Sequence, residues 1–393
     1  MTTKKTLICY AKRTPVGKLS GALSSVPAPK LSATLIKDAV SETSIDTAKI
    51  DEVLIGNVLT AGIGQAPARQ AAIYGGLPAS VRATTIGRVC GSGLKSIMYA
   101  DQAIRLGDSE VVFAGGQENM SLAPHLLPNS RAGYRFGSVE VKDSMQWDGL
   151  WDPYNDIAMG NCGELCAKEF GFSREAQDEY ATESYRRSKK AIEAGYFRDQ
   201  LVSVEVTARR KTHIVSQDEE PFSVDLEKIP HLRAAFEKDG TITAANASSI
   251  NDGAALTILA SEEAAKDNGL EPLARISAQA SFAGDPQWFT TAPIDCTKNV
   301  LKKAKLAVKD IDLWEINEAF AVVPMAAMKK LDIPHERMNV DGGAVSLGHP
   351  IGCSGTRIVV SLIHSLRRQN LKRGVAAICI GGGEASAVVV ELV

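Results

Sequence analysis

Two cysteines far apart in the chain, Cys90 and Cys379, and a histidine between them at His349 carry the side chains that acyl transfer through sulfur requires. A thiolate is the nucleophile that forms an acyl intermediate, and an imidazole titrating near neutrality is suited to take its proton. Cys90 stands in Arg88-Val89-Cys90-Gly91-Ser92-Gly93-Leu94-Lys95, and apolar residues at helical spacing (Leu94, Ile97, Met98, Ile104) follow directly. The spacing predicts that Cys90 caps a helix N-terminus. There, unpaired N–H groups and the helix dipole would move its pKa from about 8.5 toward the roughly 3.5–7.5 range of reactive thiols. Cys379 closes the apolar run Ala376-Ala377-Ile378 ahead of Ile380-Gly381-Gly382-Gly383-Glu384, so it is expected at a strand end facing a cleft. One cysteine in an apolar stretch is ordinarily an inert core residue, and three glycines are ordinarily a turn. The conjunction of Cys90, Gly348-His349-Pro350, the Cys379 turn and Asn317-Glu318-Ala319-Phe320 is what points to carbon–carbon bond chemistry on thioesters.

The elements that would position these residues repeat. Cys90 to Lys95, a helix, then Val111-Val112-Phe113-Ala114-Gly115-Gly116-Gln117-Glu118 share their punctuation with Gly352-Cys353-Ser354-Gly355-Thr356-Arg357, a helix, then Ala376 to Glu384. Each half reads as loop, helix, buried strand, Gly-Gly turn. Val53 to Val58 and Leu313 to Glu318 form a second matched pair. Apolar strands alternating with amphipathic helices predict an α/β fold of parallel sheets covered by helices. The expected organisation is an N-terminal half over 1–120, an inserted loop region over 121–253 lying on the site, and a C-terminal half over 254–393. The insertion carries loop-like Pro124, Pro128, Gly133 and Gly137, the pair Trp147 and Trp151, and a charged helical stretch from Arg174 to Glu193.

Composition narrows the function classes. At 393 residues the chain exceeds the usual single core, and 45% hydrophobic with 23% charged residues matches a globular protein that folds without metal or disulfides. Net charge is −2 with no long run of one sign, so nucleic acid and anionic membrane are poor partners. The start, Met1 to Thr6, has no apolar signal segment, no stretch approaches a membrane span, and Glu391-Leu392-Val393 is no peroxisomal address; the expected location is cytoplasmic. Among seven cysteines only Cys162 and Cys166 share helical spacing, without a second pair at metal-ligand distance.

With these motifs in order, the sequence resembles the thiolase family almost end to end. The matching segments are Gly62 to Gln70, Cys90-Gly91-Ser92-Gly93, Gly115 to Ser121, Asn246-Ala247-Ser248, Asn251-Asp252-Gly253-Ala254, Asn317-Glu318-Ala319-Phe320, Gly342-Gly343-Ala344, Gly348-His349-Pro350 and Cys379 to Gly383. It is closest in style to the biosynthetic branch, the acetyl-CoA acetyltransferases. The resemblance implies duplicated α/β/α/β/α layers and a reversible condensation of two acetyl-CoA to acetoacetyl-CoA and CoA. By it, Cys90 is acetylated with His349 as base, Cys379 removes the α-proton of the second acetyl-CoA, Asn317 holds a water that forms one oxyanion hole with His349, and the N–H groups of Cys90 and Gly381 form the other. Coenzyme A, a substrate and product rather than a prosthetic group, would lie along the insertion, with Ser248, Tyr185, Lys228, Val224 and Asp225 as contacts. Backbone carbonyls near Ala244, Ala245, Ala247 and Val345 match a potassium site of some relatives, and a homotetramer pairing dimers through 123–141 is implied.

Three positions depart from the family pattern: Ala158 where many relatives have histidine, Ser223 where arginine is frequent, and Trp288-Phe289 where the acyl pocket is lined. The last pair is expected to shorten the pocket in favour of acetoacetyl-CoA over longer 3-ketoacyl-CoA, the broader-chain thiolase being the alternative. A non-catalytic CoA or lipid carrier would have no need of Cys90, His349 and Cys379 together. A structural cysteine/histidine metalloprotein lacks its ligand spacing here. A β-ketoacyl synthase would not need Cys379 before three glycines.

Overall fold

The computed structural model describes residues 4–208 and 211–393. The chain forms β1 (Thr6–Arg13), β2 (Gly17–Lys18), α1 (Ala28–Thr43), β3 (Glu52–Gly56), α2 (Pro67–Tyr74), β4 (Arg82–Ile86), α3 (Ser92–Leu106) and β5 (Val111–Asn119). After the insertion, which holds α4 (Met159–Phe170) and α5 (Arg174–Glu193), come β6 (Asn251–Ser261), β7 (Ala274–Ala283), α6 (Ala292–Ala304), β8 (Leu313–Ile316), α7 (Val322–Leu331), α8 (Ile351–Gln369), β9 (Arg373–Ile380) and β10 (Glu384–Leu392). The main strands make one sheet in the order β8-β9-β10-β7-β1-β6-β5-β3-β4, with β2 on β6. Its halves meet at β1 and β7 through two residue pairs among the described residues, Leu7↔Arg275 and Ile8↔Ala274.

Five layers follow from strand alternation, since successive side chains of a buried strand face opposite ways. Along β5, Val111 and Phe113 pack outward with Leu35 and Ile36 of α1 and Ala71 of α2. Val112 and Ala114 pack inward with Leu94 and Ile97 of α3 and Ile358 and Leu362 of α8. Along β9, Ala376 and Ile378 join the same central core, whereas Val375, Ala377 and Cys379 face Val300 of α6 and Val323 of α7. α3 and α8 therefore lie between the two sheet halves, and α1, α2, α6 and α7 cover the outside.

Three sequence expectations change. The sheet is mixed: β3 runs parallel to β4 and β5, and β8 to β9, but β10 returns antiparallel on β9 through the three-glycine turn, and β6 is antiparallel to both β1 and β5. Gly115 and Gly116 are not a turn; they continue β5, because a Cβ on Gly116 would lie 2.1 Å from the Gly352 carbonyl at the start of α8. The division expected at 253/254 falls inside β6, whose pairing with β1 and β5 ties it to the N-terminal half. The matched pairs stand as read, with α3–β5 repeated by α8–β9 and β3 by β8. No described helix is long and apolar enough to cross a membrane.

Candidate active site

Glycine lets the two central helices approach at their N-termini. A Cβ on Gly93 would sit 2.8 Å from the Gly352 carbonyl, and one on Gly355 would sit 2.3 Å from the Leu94 nitrogen. The loops that precede both helices, one carrying Cys90 and the other His349, are thereby brought to one place. Gly91, not Cys90, is the cap residue of α3, so Cys90 stands one position outside the helix. The turn is strained: Val89, a β-branched residue, has φ 43°. Ser92 holds it by accepting from Arg88 N at 2.7 Å and donating to the Val89 carbonyl at 2.7 Å. From the other half, Gly91 lies against Ile380 of β9, and Arg88 clamps Glu384 of β10 at 2.9 Å.

Cys90 and His349 line one cavity of about 300 Å³. Met159, Phe289, Phe320 and Ile351 make its walls apolar, and Ser248 and Ser249 line it as well. The N–H of Gly381 reaches the Cys90 sulfur, as does the N–H of Cys90 itself. Cys379 is fully buried beside Cys90, near enough for a charge on Cys90 to disfavour one on Cys379, with the Ala319 N–H on its sulfur. Asn317, directly after β8, is 1% exposed.

Two of the buried side-chain polar atoms that have no partner among the described residues belong to the candidate residues: His349 Nε2 and Asn317 Nδ2. The rest of each side chain is held. His349 Nδ1 lies 2.6 Å from Ser354 Oγ, and Ser354 donates to the Pro350 carbonyl at 2.9 Å. With its one proton given to Pro350, the Ser354 hydroxyl accepts from Nδ1–H, which leaves Nε2 of neutral His349 unprotonated and able to take a proton. The His349 N–H donates to Asn251 Oδ1 at 2.8 Å, and Gly348 before it adopts φ 98°. A side chain there would strike Asn251, so the glycine of Gly348-His349-Pro350 is dictated by both backbone and space.

The electrostatics correct one expectation. Burial pushes the Cys90 thiol up to about 12, with Glu118 adding to the rise and the Gly381 and Cys90 N–H groups opposing it. Burial and then Arg357 push His349 down to about 3. Desolvation thus outweighs the helix terminus, and the resting site is a neutral thiol beside a neutral imidazole rather than a thiolate.

The remaining candidates divide. Ser248 is at the cavity, its N–H and Oγ both donating to the Ala319 carbonyl at 3.0 and 2.9 Å. Tyr185 is 3% exposed and packs with Ala245, Val345 and Ile229, with Val224 against them, so it belongs with the potassium candidates rather than on an exposed nucleotide-facing surface. Lys228 and Asp225 are exposed and pair with each other at 3.1 Å. Ala158 lines the cavity and Ser223 turns back onto Glu220 at 2.9 Å. Phe289 lines the cavity, but Trp288 does not; it borders a surface groove with Glu169, Phe170 and Lys298. Among the described residues no group of three or more His, Cys, Asp or Glu side chains could hold a metal ion.

Sequence reasoning assigned no role to Glu118, Ser354, Asn251 or Arg357. Glu118, at the end of β5, accepts from Asn57 Nδ2 at 2.7 Å and from the N–H groups of Val58, Leu59 and Gly352 at 3.0, 3.2 and 3.0 Å, tying α8 to the N-terminal half. The available signal was a carboxylate at the end of an apolar strand, which is buried only when something meets it.

The sequence matches the family models described as "Thiolase, N-terminal domain" over residues 6–263 and "Thiolase, C-terminal domain" over residues 270–392. It is 51% identical over 386 residues to an acetyl-CoA acetyltransferase of Yarrowia lipolytica, covering 98% of this chain and 96% of that one. It is 47% identical over 387 residues to an acetyl-CoA acetyltransferase of Cupriavidus necator, covering 98% of each. The crystal structure of a Bacillus anthracis acetyl-CoA acetyltransferase superposes with a TM-score of 0.97 at 42% identity, covering 100% of this chain and 99% of that one. A thiolase from Ascaris suum in complex with coenzyme A superposes with a TM-score of 0.94 at 43% identity, covering 99% and 100%. Two family matches that together span nearly the whole chain, on a fold that brings Cys90 and His349 to one cavity with Cys379 beside Cys90, establish that the chain belongs to the thiolase family.

Proposed function

We propose that this thiolase is an acetyl-CoA C-acetyltransferase that joins two acetyl-CoA into acetoacetyl-CoA and CoA, reversibly, through an acetyl group on Cys90. The observation that carries the reading is the meeting of Cys90 and His349 at one apolar cavity with Cys379 buried beside Cys90, together with unpartnered polar atoms on His349 and Asn317. Cys90 gives its proton to His349 Nε2 as its sulfur attacks the thioester carbon, and the proton leaves on the CoA sulfur. Cys379, having passed its own proton to the freed His349, then takes the α-proton of a second acetyl-CoA as a thiolate. The enolate attacks acetyl-Cys90, and the tetrahedral intermediate expels the Cys90 sulfur, which regains a proton from His349. The Gly381 and Cys90 N–H groups fit the oxyanion of the acyl steps, since both already point at that sulfur. Asn317 Nδ2 and His349 fit the thioester oxygen of the enolate step, Asn317 through a water. A neutral resting pair suits this sequence, because charge develops only when the substrate brings its own carbonyl to these donors.

Mass spectrometry after mixing with acetyl-CoA tests the division of labour. Cys379→Ala is expected to gain one acetyl on Cys90 yet lose condensation and thiolysis, whereas Cys90→Ala gains none. Equal loss of labelling in both overturns the assignment, and a wild-type protein that never acetylates would be a carrier.

Chain length follows from the walls. About 300 Å³ is at the small end of ligand cavities, and Phe289 packs edge-on to Phe320 at 6.3 Å, which favours acetoacetyl-CoA. Thiolysis rates are expected to fall from four to twelve carbons; a flat or rising series favours the broader-chain thiolase. The CoA nucleotide lies over Val224, Asp225 and Lys228 in this reading, with Ser248 beside the pantetheine.

The carbonyls of Ala244, Ala245 and Ala247 accept no hydrogen bond among the described residues, and they adjoin the cluster holding Tyr185 and Val345, so these positions fit potassium, an ion bound by oxygen. Potassium would supply a positive charge bracing the CoA loop, and thiolysis is expected to rise in potassium over sodium. Leu127, Tyr134, Phe136, Val139 and Val141 are exposed on 123–141, which supports a dimer of dimers paired through this loop. Sedimentation of Phe136→Ser would then show dimers. Seven free thiols fit a reducing compartment such as the cytoplasm.

A further inference from the structure

One fully buried charge has no part in the reaction above. Arg357 is 2% exposed and stands one turn beyond Ser354 on α8. It gives Nη1 to Glu315 Oε2 at 3.4 Å and Nη2 to Asn317 Oδ1 at 3.3 Å. A guanidinium only donates, so the atom it meets is the amide oxygen, and Asn317 Nδ2 is turned away from it, unpartnered. The backbone on either side is secured by other groups. Asn339 donates to the Ile316 carbonyl and accepts from Ile316 N at 2.9 and 3.0 Å. Glu318 accepts from Tyr180, Ser184 and Asn339, each at 2.8 Å. What Arg357 adds is the rotation of a single amide, together with a positive charge near His349.

We propose that Arg357 is a positioning residue for carbon–carbon bond formation, aiming the Asn317 amide at the thioester oxygen. The same guanidinium charge disfavours protonation of His349. This rests on the reading of Asn317 and His349 given above. One face of α8 then aligns both polarising groups, Ser354 through the imidazole and Arg357 through the amide. The groups around this wall are Arg357 and Cys353 of α8, Cys90 before α3, Cys379 of β9, Glu118 of β5, Arg13 of β1, Glu315 of β8 and Glu318 after it. Of these, Arg357 is the one whose charge acts on His349.

Removing Arg357 alone strands Glu315, so the variants are Arg357→Lys, which keeps the charge but loses the fork, and the double variant Arg357→Met with Glu315→Gln, which removes both charges. Condensation and thiolysis kcat and KM, and the pH dependence of Cys90 acetylation, are measured on each alongside wild type. Arg357→Lys is expected to lose roughly 10- to 100-fold in kcat with KM changed less than about threefold, and to keep the wild-type acid limb. The double variant is expected to lose at least as much and to move the acid limb up by about one pH unit, because His349 protonates more readily without a neighbouring cation. Retention of kcat within threefold in Arg357→Lys, or an unmoved limb in the folded double variant, overturns the assignment; if the double variant does not fold, the Arg357→Lys kcat decides. Failure of wild-type Cys90 to acetylate would instead remove the reading on which it rests.

Discussion

At the scale of single residues the site is a contest between burial and polar contact, and burial wins in the resting state. Cys90 and His349 are neutral because both are desolvated, the one pushed up to about 12 and the other down to about 3. Transition-state donors matter more in such a site than a standing thiolate would, since they act where water is absent. Asn317→Ala should lower condensation kcat by about 10²–10³ while Cys90 still acetylates. Steady-state kinetics with intact-mass labelling checks this, and full condensation activity would remove Asn317 from the chemistry. The role proposed for Cys90 rests on residue type and neighbours, which are legible in sequence, but its charge state is not. The helix terminus visible in sequence argues for a thiolate, whereas the enclosure that argues against it is built by Met159, Ile351 and Phe320 from distant segments.

Among elements, the crossing of α3 and α8 decides whether the loops carrying Cys90 and His349 meet. The Leu94 nitrogen and the Gly352 carbonyl are backbone atoms, so neither moves aside cheaply for a new Cβ. Gly355→Ala should destabilise by about 1–3 kcal/mol and lower activity through displaced loops. Urea unfolding midpoints compared with wild type check the first, and an unchanged midpoint with unchanged activity would mean that the crossing is slack. The repeat of loop, helix and strand was legible because both copies keep helical and strand periodicity. The misreading of Gly115-Gly116 as a turn has a physical source: glycine marks close approach of another chain segment as readily as it marks a bend, and only the position of α8 tells them apart.

For the whole molecule, seven buried free thiols make stability sensitive to alkali. Cys9, Cys90, Cys296 and Cys353 are pushed by burial from 9.0 to about 12, Cys162 and Cys166 to about 11, and Cys379 is raised as well. A thiol that ionises at about 9.0 unfolded but higher when folded binds more protons in the native state. Its contribution is whole below pH 9 and is lost as pH rises toward 12. Denaturant midpoints should therefore hold steady from pH 7.5 to 8.5 and decline progressively above 9. The buried imidazoles act at the other end: His349 and His364 are lowered from 6.5, so their contribution is complete above 6.5 and is lost on acidification. A stability curve flat to pH 11 would show that these thiols reach solvent.

The sequence by itself determined the chemistry and the duplicated plan. Thiols, imidazole and amide stand in motifs with local punctuation, and strand and helix periods survive without knowledge of neighbours. Only the tertiary structure decided the mixed sheet, the exclusion of Trp288 from the cavity, the burial of Tyr185 and the protonation of the resting site. Each of these depends on which faces meet across hundreds of residues, and desolvation, the largest force on the titrating groups, is a property of enclosure that no single segment carries.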